Sequence, residues 1–311
     1  FEAAGDHALL AQAWRLFTQI HFTNGRYGKA EEAARRMIEH AQLAGDTLMQ
    51  TRVLTALAWC VLYGPTPVPQ AIARCEELIE RARGDRKVEA LTRCALAHLE
   101  AMLGDFETAR AHYRASRDTL QELGWKMLAA TISIDSGTIE MLAGDPVAAE
   151  AELRADYEAL HRMGATDYAW TTAAILAEAL YQQGRFDEAE ELTRLVERGS
   201  TADDLTNQVL WRSVRAKVLA RRGLVQQAEQ LAREAVVLAQ DGDEPDAQGN
   251  ALADLAEVLG RGGKAGDARL ALEEALARFE AKGNAVSAGR VRALLEPGAV
   301  PSSVEPPIVP A

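Results

Sequence analysis

Aromatic side chains are scarce in this chain of 311 residues: Phe, Trp and Tyr together make up 5% of it. Strands of sandwiches and barrels draw on aromatic and β-branched residues, so an all-β architecture is excluded. Cysteine is scarcer still. Cys60, Cys75 and Cys94 are odd in number and lie 15 and 19 positions apart, with no CxxC pair. That spacing supports neither a disulfide framework nor a zinc site and predicts small buried hydrophobes in a reducing cytosol. Positive charge is also in deficit, with 34 Lys and Arg against 46 Asp and Glu and a net charge of −12. Such a surface repels phosphate backbones, which excludes direct nucleic-acid binding. No apolar run approaches the roughly 18 residues that span a bilayer, and no basic-then-apolar leader precedes the first charged residues. The expected location is therefore the cytoplasm. An initiator Met is missing too, and opening on Phe1 gives the expectation of a piece of a longer protein. Arg outnumbers Lys by 28 to 6, a bias typical of GC-rich bacterial coding sequences.

What the chain does contain is a repeat. The segments NGRYGKAEEAAR from Asn24, LGDFETARAHYR from Leu103, AGDPVAAEAELR from Ala143 and QGRFDEAEELTR from Gln183 align with one another. RGLVQQAEQLAR from Arg222 and GGKAGDARLALE from Gly262 extend the series. Each places Gly before a charged, amphipathic run containing an alanine. Those alanines are Ala30, Ala71, Ala109, Ala149, Ala189, Ala228 and Ala268, and their successive position differences are 41, 38, 40, 40, 39 and 40. Seven units of about 40 residues follow, each with two apolar-periodic stretches of about 18 residues around a Gly turn. In the fifth unit Ala173, Leu176, Ala177 and Leu180 form one helical stripe, Gly184 ends it, and Ala189, Leu192 and Val196 continue on a second helix. Neither helix can bury its face alone, so the units stack.

A second set of turns, among them Gly45-Asp46, Gly84-Asp85, Asp241-Gly242-Asp243 and Gly283-Asn284, predicts helix stops followed by an N-cap for the next helix. Unit 2 is irregular, because Pro65, Pro67 and Pro69 stiffen its inner turn. A last helix over Ala285 to Leu295 caps the array. The expected domains are a repeat domain over 1–296 and a Pro-rich disordered tail or linker over 297–311, which holds five of the ten prolines. The fold class predicted is all-α, an αα-hairpin solenoid of about seven helix pairs plus a capping helix.

These residues resemble the tetratricopeptide (TPR) superfamily. Its pattern of a small residue, a turn Gly, an aromatic and an Ala is matched by Ala177, Gly184, Phe186 and Ala189, by Ala97, Gly104, Phe106 and Ala109, and by Thr18, Gly25, Tyr27 and Ala30. The resemblance spans residues 6 to 296. It departs in its period, which is about 34 in the family, and in lacking the Pro that commonly closes each repeat. It implies a right-handed superhelix. The longer units look like the arrays at the C-terminal ends of LuxR-type ATP-binding regulators or ATPase–cyclase signalling proteins, and ALARFEAKGNAVSAGRVRALLEP from Ala275 resembles the latter group.

Catalytic and cofactor motifs are missing. GRYGKA at Gly25 and GRGGKA at Gly260 lack both the four-residue gap and the Ser/Thr of a phosphate loop, and they read as inter-helix turns. The six histidines stand singly, without an i+4 ligand partner. Paired carboxylates such as Glu31–Glu32 fall on solvated helix faces, and no nucleophile elbow occurs. The five tryptophans, all in first helices or at their starts, read as packing residues. No enzyme activity, cofactor or metal is expected.

Groove positions carried over from the resemblance give the candidate ligand-contacting residues. They are Arg15, Gln19, Tyr63, His98, Met102, Thr138 and Met141, continued by Glu178, Tyr181, Gln182, Lys217 and Arg221. Gln12, Cys60, Glu257 and Arg261 belong to the same face. An apolar middle rich in Met and Tyr, with charged rims, suits a peptide or a helix. The Lys/Asn clamp that grips a C-terminal carboxylate in some TPR domains is absent. The function expected is a non-catalytic protein–protein interaction scaffold with a peptide in its concave groove, the sensor or assembly module of a larger bacterial signalling or transcription regulator. Expected partners also include other domains of the same polypeptide and further copies of the chain. The alternative is a small-molecule receptor holding a metabolite between Tyr63, His98, Met102 and Tyr181.

Overall fold

The computed structural model describes residues 5–296. The expected Pro-rich tail at 297–311 lies outside the described residues. Sixteen helices and no strand are found among the described residues. They run as pairs: α1 (His7–Thr23) with α2 (Tyr27–Leu43), α3 (Thr47–Tyr63) with α4 (Val68–Arg81), and α5 (Arg86–Leu103) with α6 (Phe106–Glu122). The fourth pair has a split first helix, α7 (Lys126–Thr131) and α8 (Ser133–Ala143), before α9 (Pro146–Arg162). Then come α10 (Thr166–Gln182) with α11 (Phe186–Gly199), α12 (Leu205–Arg221) with α13 (Val225–Asp241), and α14 (Pro245–Arg261) with α15 (Ala265–Lys282). Helix α16 (Ala285–Leu295) closes the array as expected.

The recurring alanines sit where the two helices of a pair touch. Ala30, Ala71, Ala109, Ala149, Ala189 and Ala228 are all 0% exposed. A larger side chain there must push the helices apart, so Ala149→Leu is expected to destabilise by about 1–3 kcal/mol, read as a lower urea midpoint. Between the helices, Gly104 ends α5 at φ 92°, a left-handed conformation that a Cβ would strain. Gly64 is required for a different reason. Its backbone is extended, but a Cβ would lie 2.5 Å from the Cys60 carbonyl oxygen and 3.1 Å from the Tyr27 Cβ.

Adjacent pairs are also phased by ion pairs that follow the repeat. Arg185 bridges to Glu150 at 2.6 Å, Arg222 to Asp187 at 2.5 Å and Lys264 to Glu229 at 2.7 Å. Each joins the inner turn of one unit to the second helix of the unit before. Lys264, the lysine of GRGGKA, is thereby engaged by a carboxylate. Exposed pairs of this kind stabilise by about 0–1 kcal/mol each and act mainly on register.

Two features depart from the expected regularity. The first helix of unit 4 is broken at Ile132 instead of running through as one element. Thr131 Oγ1 donates to the Leu128 carbonyl at 2.9 Å and Ser133 Oγ to the Ala130 carbonyl at 2.8 Å. Hydroxyls bonding back to carbonyls three positions earlier compete with the α ladder and tighten it locally. The second departure is Asp243. It is read from sequence as the N-cap of the helix that follows, yet Glu244 occupies that position and makes no side-chain cap. Asp243 reaches the other end of the array.

There the first and last units meet. Asp243 Oδ1 accepts from the Tyr27 amide at 2.6 Å and its Oδ2 from the Gly28 amide at 2.9 Å, while its own amide donates to the Gly25 carbonyl at 2.9 Å. The start of α2, whose own cap residue Arg26 makes no side-chain hydrogen bond, is thus capped from 216 positions away in the chain. Lys282, buried at the end of α15, donates from Nζ to the carbonyls of Val61, Gly64 and Thr66 at 3.0, 2.7 and 3.0 Å. Arg290 of α16 donates to the carbonyls of Met141 and Leu142 at 2.9 and 2.7 Å. A carboxylate meets one helix start, and two cations meet two helix ends (α3 and α8). Each charge faces the helix end of opposite partial charge and satisfies groups that helices leave unpaired.

Candidate functional site

The first helices of successive units pack side by side, so residues on α10, α12 and α14 converge on one face. Lys217 of α12 places its ammonium 2.7 Å from Glu178 of α10 and 2.7 Å from Asp254 of α14. The same ammonium lies 4.8 Å over the Tyr181 ring. Tyr181 donates its hydroxyl to Glu257 at 2.5 Å and accepts from Arg221 Nε at 2.9 Å. Arg221 also covers the Phe186 ring at 5.1 Å, Arg261 reaches Glu257 at 3.2 Å, and Gln182 donates to Glu178 at 3.0 Å. Five candidates from the sequence (Glu178, Tyr181, Gln182, Lys217 and Arg221) are therefore one network, together with Glu257 and Arg261.

Its electrostatics follow from crowding. Burial opposes the Lys217 charge, but Asp254 and Glu178 outweigh burial and hold the ammonium above the ordinary lysine range. Burial pushes the Asp254 carboxyl up, with Glu178 adding to the rise and Lys217 opposing it. Glu257 is lowered: burial would raise it, but Lys217, the Tyr181 hydroxyl and the two arginines prevail. Burial and Glu257 raise the Tyr181 hydroxyl. The result is a set of donors and acceptors held in place beside an aromatic ring.

The other half of the candidate set forms a second, drier cluster. His98 donates from Nδ1 to Asp135 at 3.0 Å, and the Tyr63 hydroxyl donates to the same oxygen at 3.3 Å. Tyr63 stacks on Trp59 at 6.0 Å and stands edge-on to His98 at 6.1 Å. His98, Met102 and Met141 are buried, Tyr63 is half-buried, and Thr138 turns its hydroxyl back to the Ile134 carbonyl at 2.8 Å. Arg15 and Gln19 lie exposed on α1, apart from both clusters. Cys60 is buried as well. The Cys94 thiol lies 3.7 Å from Asp135, and burial with that carboxylate pushes it well above its ordinary value, which suits packing and not nucleophilic attack.

Asp135 and Asp254, the centres of the two clusters, were not among the sequence candidates. The signal that could have found them is an aspartate inside a largely apolar first-helix stretch, SIDSGTIEML and ALADLAEVL. Tyr63, His98 and Met102 belong to the packed core of units 2 to 4, while Tyr181 belongs to the other network. A shallow depression lies elsewhere, along α9 between Val147 and Glu158. Among the described residues no group of three or more His, Cys, Asp or Glu is placed to hold a metal, and no helix is long and apolar enough to cross a membrane.

No family model and no curated protein matches the chain. Solved structures do. A structure of NprR in complex with its cognate peptide NprX aligns at a TM-score of 0.61 and 13% identity, over 85% of this chain and 80% of that one. The apo quorum sensor NprR from B. thuringiensis aligns at 0.54 and 14%, over 94% and 86%. A Rap protein complexed with Competence and Sporulation Factor aligns at 0.56 and 11%, over 93% and 80%. At these identities the likeness is one of fold, and the fold is that of the TPR-like helical repeats.

Proposed function

We propose that this chain is a non-catalytic helical-repeat module that binds a peptide along its inner face. The observation that carries the reading is the network on α10, α12 and α14. Arg221, Glu178, Glu257 and Arg261 at its partly exposed rim offer charged partners for a backbone or side chain, held in place by the buried Lys217 and Tyr181. Positions already held by neighbouring side chains lose little entropy on binding, which favours affinity. A bound peptide in an NprR structure of the same fold supports this reading. In the same proposal the chain is a cytoplasmic sensor or assembly arm of a larger bacterial signalling or transcription regulator, joined to other domains.

Selection from a displayed random-peptide library, followed by calorimetry on the enriched sequences, tests the proposal. Arg221→Ala and Tyr181→Phe are expected to weaken the selected peptide about tenfold or more each, the loss of about 1.4 kcal/mol or more. Enriched peptides that bind both variants as well as the parent would place the ligand elsewhere. No enrichment at all would end the peptide reading.

A further inference from the structure

The seam between the two ends of the array covers the other half of the inner face. Glu244, at the head of α14, lies against Tyr27 of α2 and acts on Tyr63 of α3. Asp246, also on α14, faces His98 of α5 and receives the Asn284 side-chain amide at 2.9 Å. Val286 of α16 packs on the core cluster that contains Met102, and its Cγ2 stands 3.6 Å from where a Cβ on Gly104 would be. The residues that repeat geometry assigns to a groove are thus occupied by the chain's own last three helices.

What holds those helices is unlike a repeat interface. Successive units are joined through apolar clusters, whereas the seam adds to the Val286 contact a set of charges, Asp243, Lys282 and Arg290, at three helix ends. We propose that the seam is an autoinhibitory clasp, whose release moves α14–α16 off units 1–4 and bares Tyr63, His98 and Met102 to the groove ligand. The ligand part of this proposal rests on the peptide reading above; the clasp itself does not. Repeat arrays permit such a movement because each unit contacts mainly its neighbours, so a small rotation per unit adds up to a large opening at the ends.

The charges in the seam give the clasp a pH dependence. Glu244 faces Tyr27, Tyr63, Asp243, Asp246 and Lys282, and burial with the nearby Asp246 raises it to about 8. Lys282 faces Asp246, Glu244 and Cys75, and burial lowers it to about 8. Arg290 is likewise lowered by burial. A carboxyl raised in the closed state contributes stability that is present at low pH and lost as pH climbs through 8. A lysine lowered in the closed state contributes stability that is lost as pH falls through 8 and regained above it. Raised Asp246 adds to the first loss. The seam is therefore weakest near pH 8 and firmer on either side.

The test uses the three native thiols, all buried and two of them, Cys60 and Cys75, acting on seam charges. In Asp243→Ala/Arg290→Ala, thiol labelling at fixed pH is expected to accelerate at least tenfold. Far-UV helicity stays unchanged, and the radius of gyration from small-angle scattering rises. Parent-like labelling and radius in a helical variant overturn the clasp. Should the variant lose helicity, native-state hydrogen exchange on the parent decides. The Tyr27, Gly28 and Asp243 amides are expected to open well before those of Leu96 and Leu99, and most readily near pH 8. Exchange of all of them only through global unfolding overturns the proposal. Peptides selected equally by opened and closed protein overturn the inhibitory role. Accelerated labelling with no peptide selected by either form counts against the peptide reading and for the clasp.

Discussion

Replacing Lys217 with methionine is expected to destabilise the protein by about 3–5 kcal/mol at neutral pH, read as a fall in the urea midpoint of unfolding. The ammonium stands 2.7 Å from both Glu178 and Asp254, and its side chain is 4% exposed. Methionine keeps the stem and removes the charge, leaving carboxylates crowded on α10 and α14 with no cation between them. Desolvated charge without a partner is among the costliest defects a single substitution can make. The effect depends on pH with a definite sign. Without Lys217, Asp254 rises further, so the variant keeps its stability at low pH and loses it as pH climbs through the raised value. The gap between parent and variant should therefore be wider at pH 8 than at pH 5. Adding Asp254→Asn should recover about 1 kcal/mol or more, a coupling that a double-mutant cycle measures. Equal losses at both pH values, or no coupling, would show that the cluster is not held by charge.

The Lys282→Met variant is expected to lose about 2–4 kcal/mol, from carbonyls left without donors. Three backbone carbonyls at and beyond the last turn of α3 share one ammonium. Water cannot take its place easily, because Lys282 is 0% exposed in the closed seam. The parent also pays to bury the charge, which is why its pKa drops to about 8, and this relief limits the loss in the variant. Above pH 8 the parent's closed form holds this lysine neutral while the unfolded chain still takes up the proton, so the parent gains stability that the variant cannot, and the difference between the two proteins should widen there. A difference that stayed flat or shrank above pH 8 would mean that the buried ammonium is not what ties Lys282 to the seam.

The repeat could be read from the chain because its causes are local. An Ala recurring once per unit marks where paired helices touch, and a Gly ahead of it marks a turn that only Gly enters freely; both recur wherever the same hairpin is built. Part of the candidate site could be read for the same reason. Glu178, Tyr181, Lys217 and Arg221 occupy equivalent places in successive units, and stacking brings them together.

Tertiary structure decided the rest. Whether His98 and Met102 face a groove or a core depends on what lies opposite, and what lies opposite is α14–α16, far along the chain. Asp243 looks like any helix cap in its own turn. Its carboxylate is free for α2 because the accumulated rotation of seven units carries the last ones back to the first, a sum to which each hairpin adds only a small angle. The break at Ile132 depends on two hydroxyls choosing carbonyls over solvent, a choice that burial makes. By itself, the sequence determined the helix pairs, their number and their order, since periodicity and turn chemistry act over a few neighbouring positions. The closing of the array and the covering of half its inner face were decided only in three dimensions. They depend on contacts between segments remote in the chain, such as Arg290 with Met141, which local periodicity cannot encode.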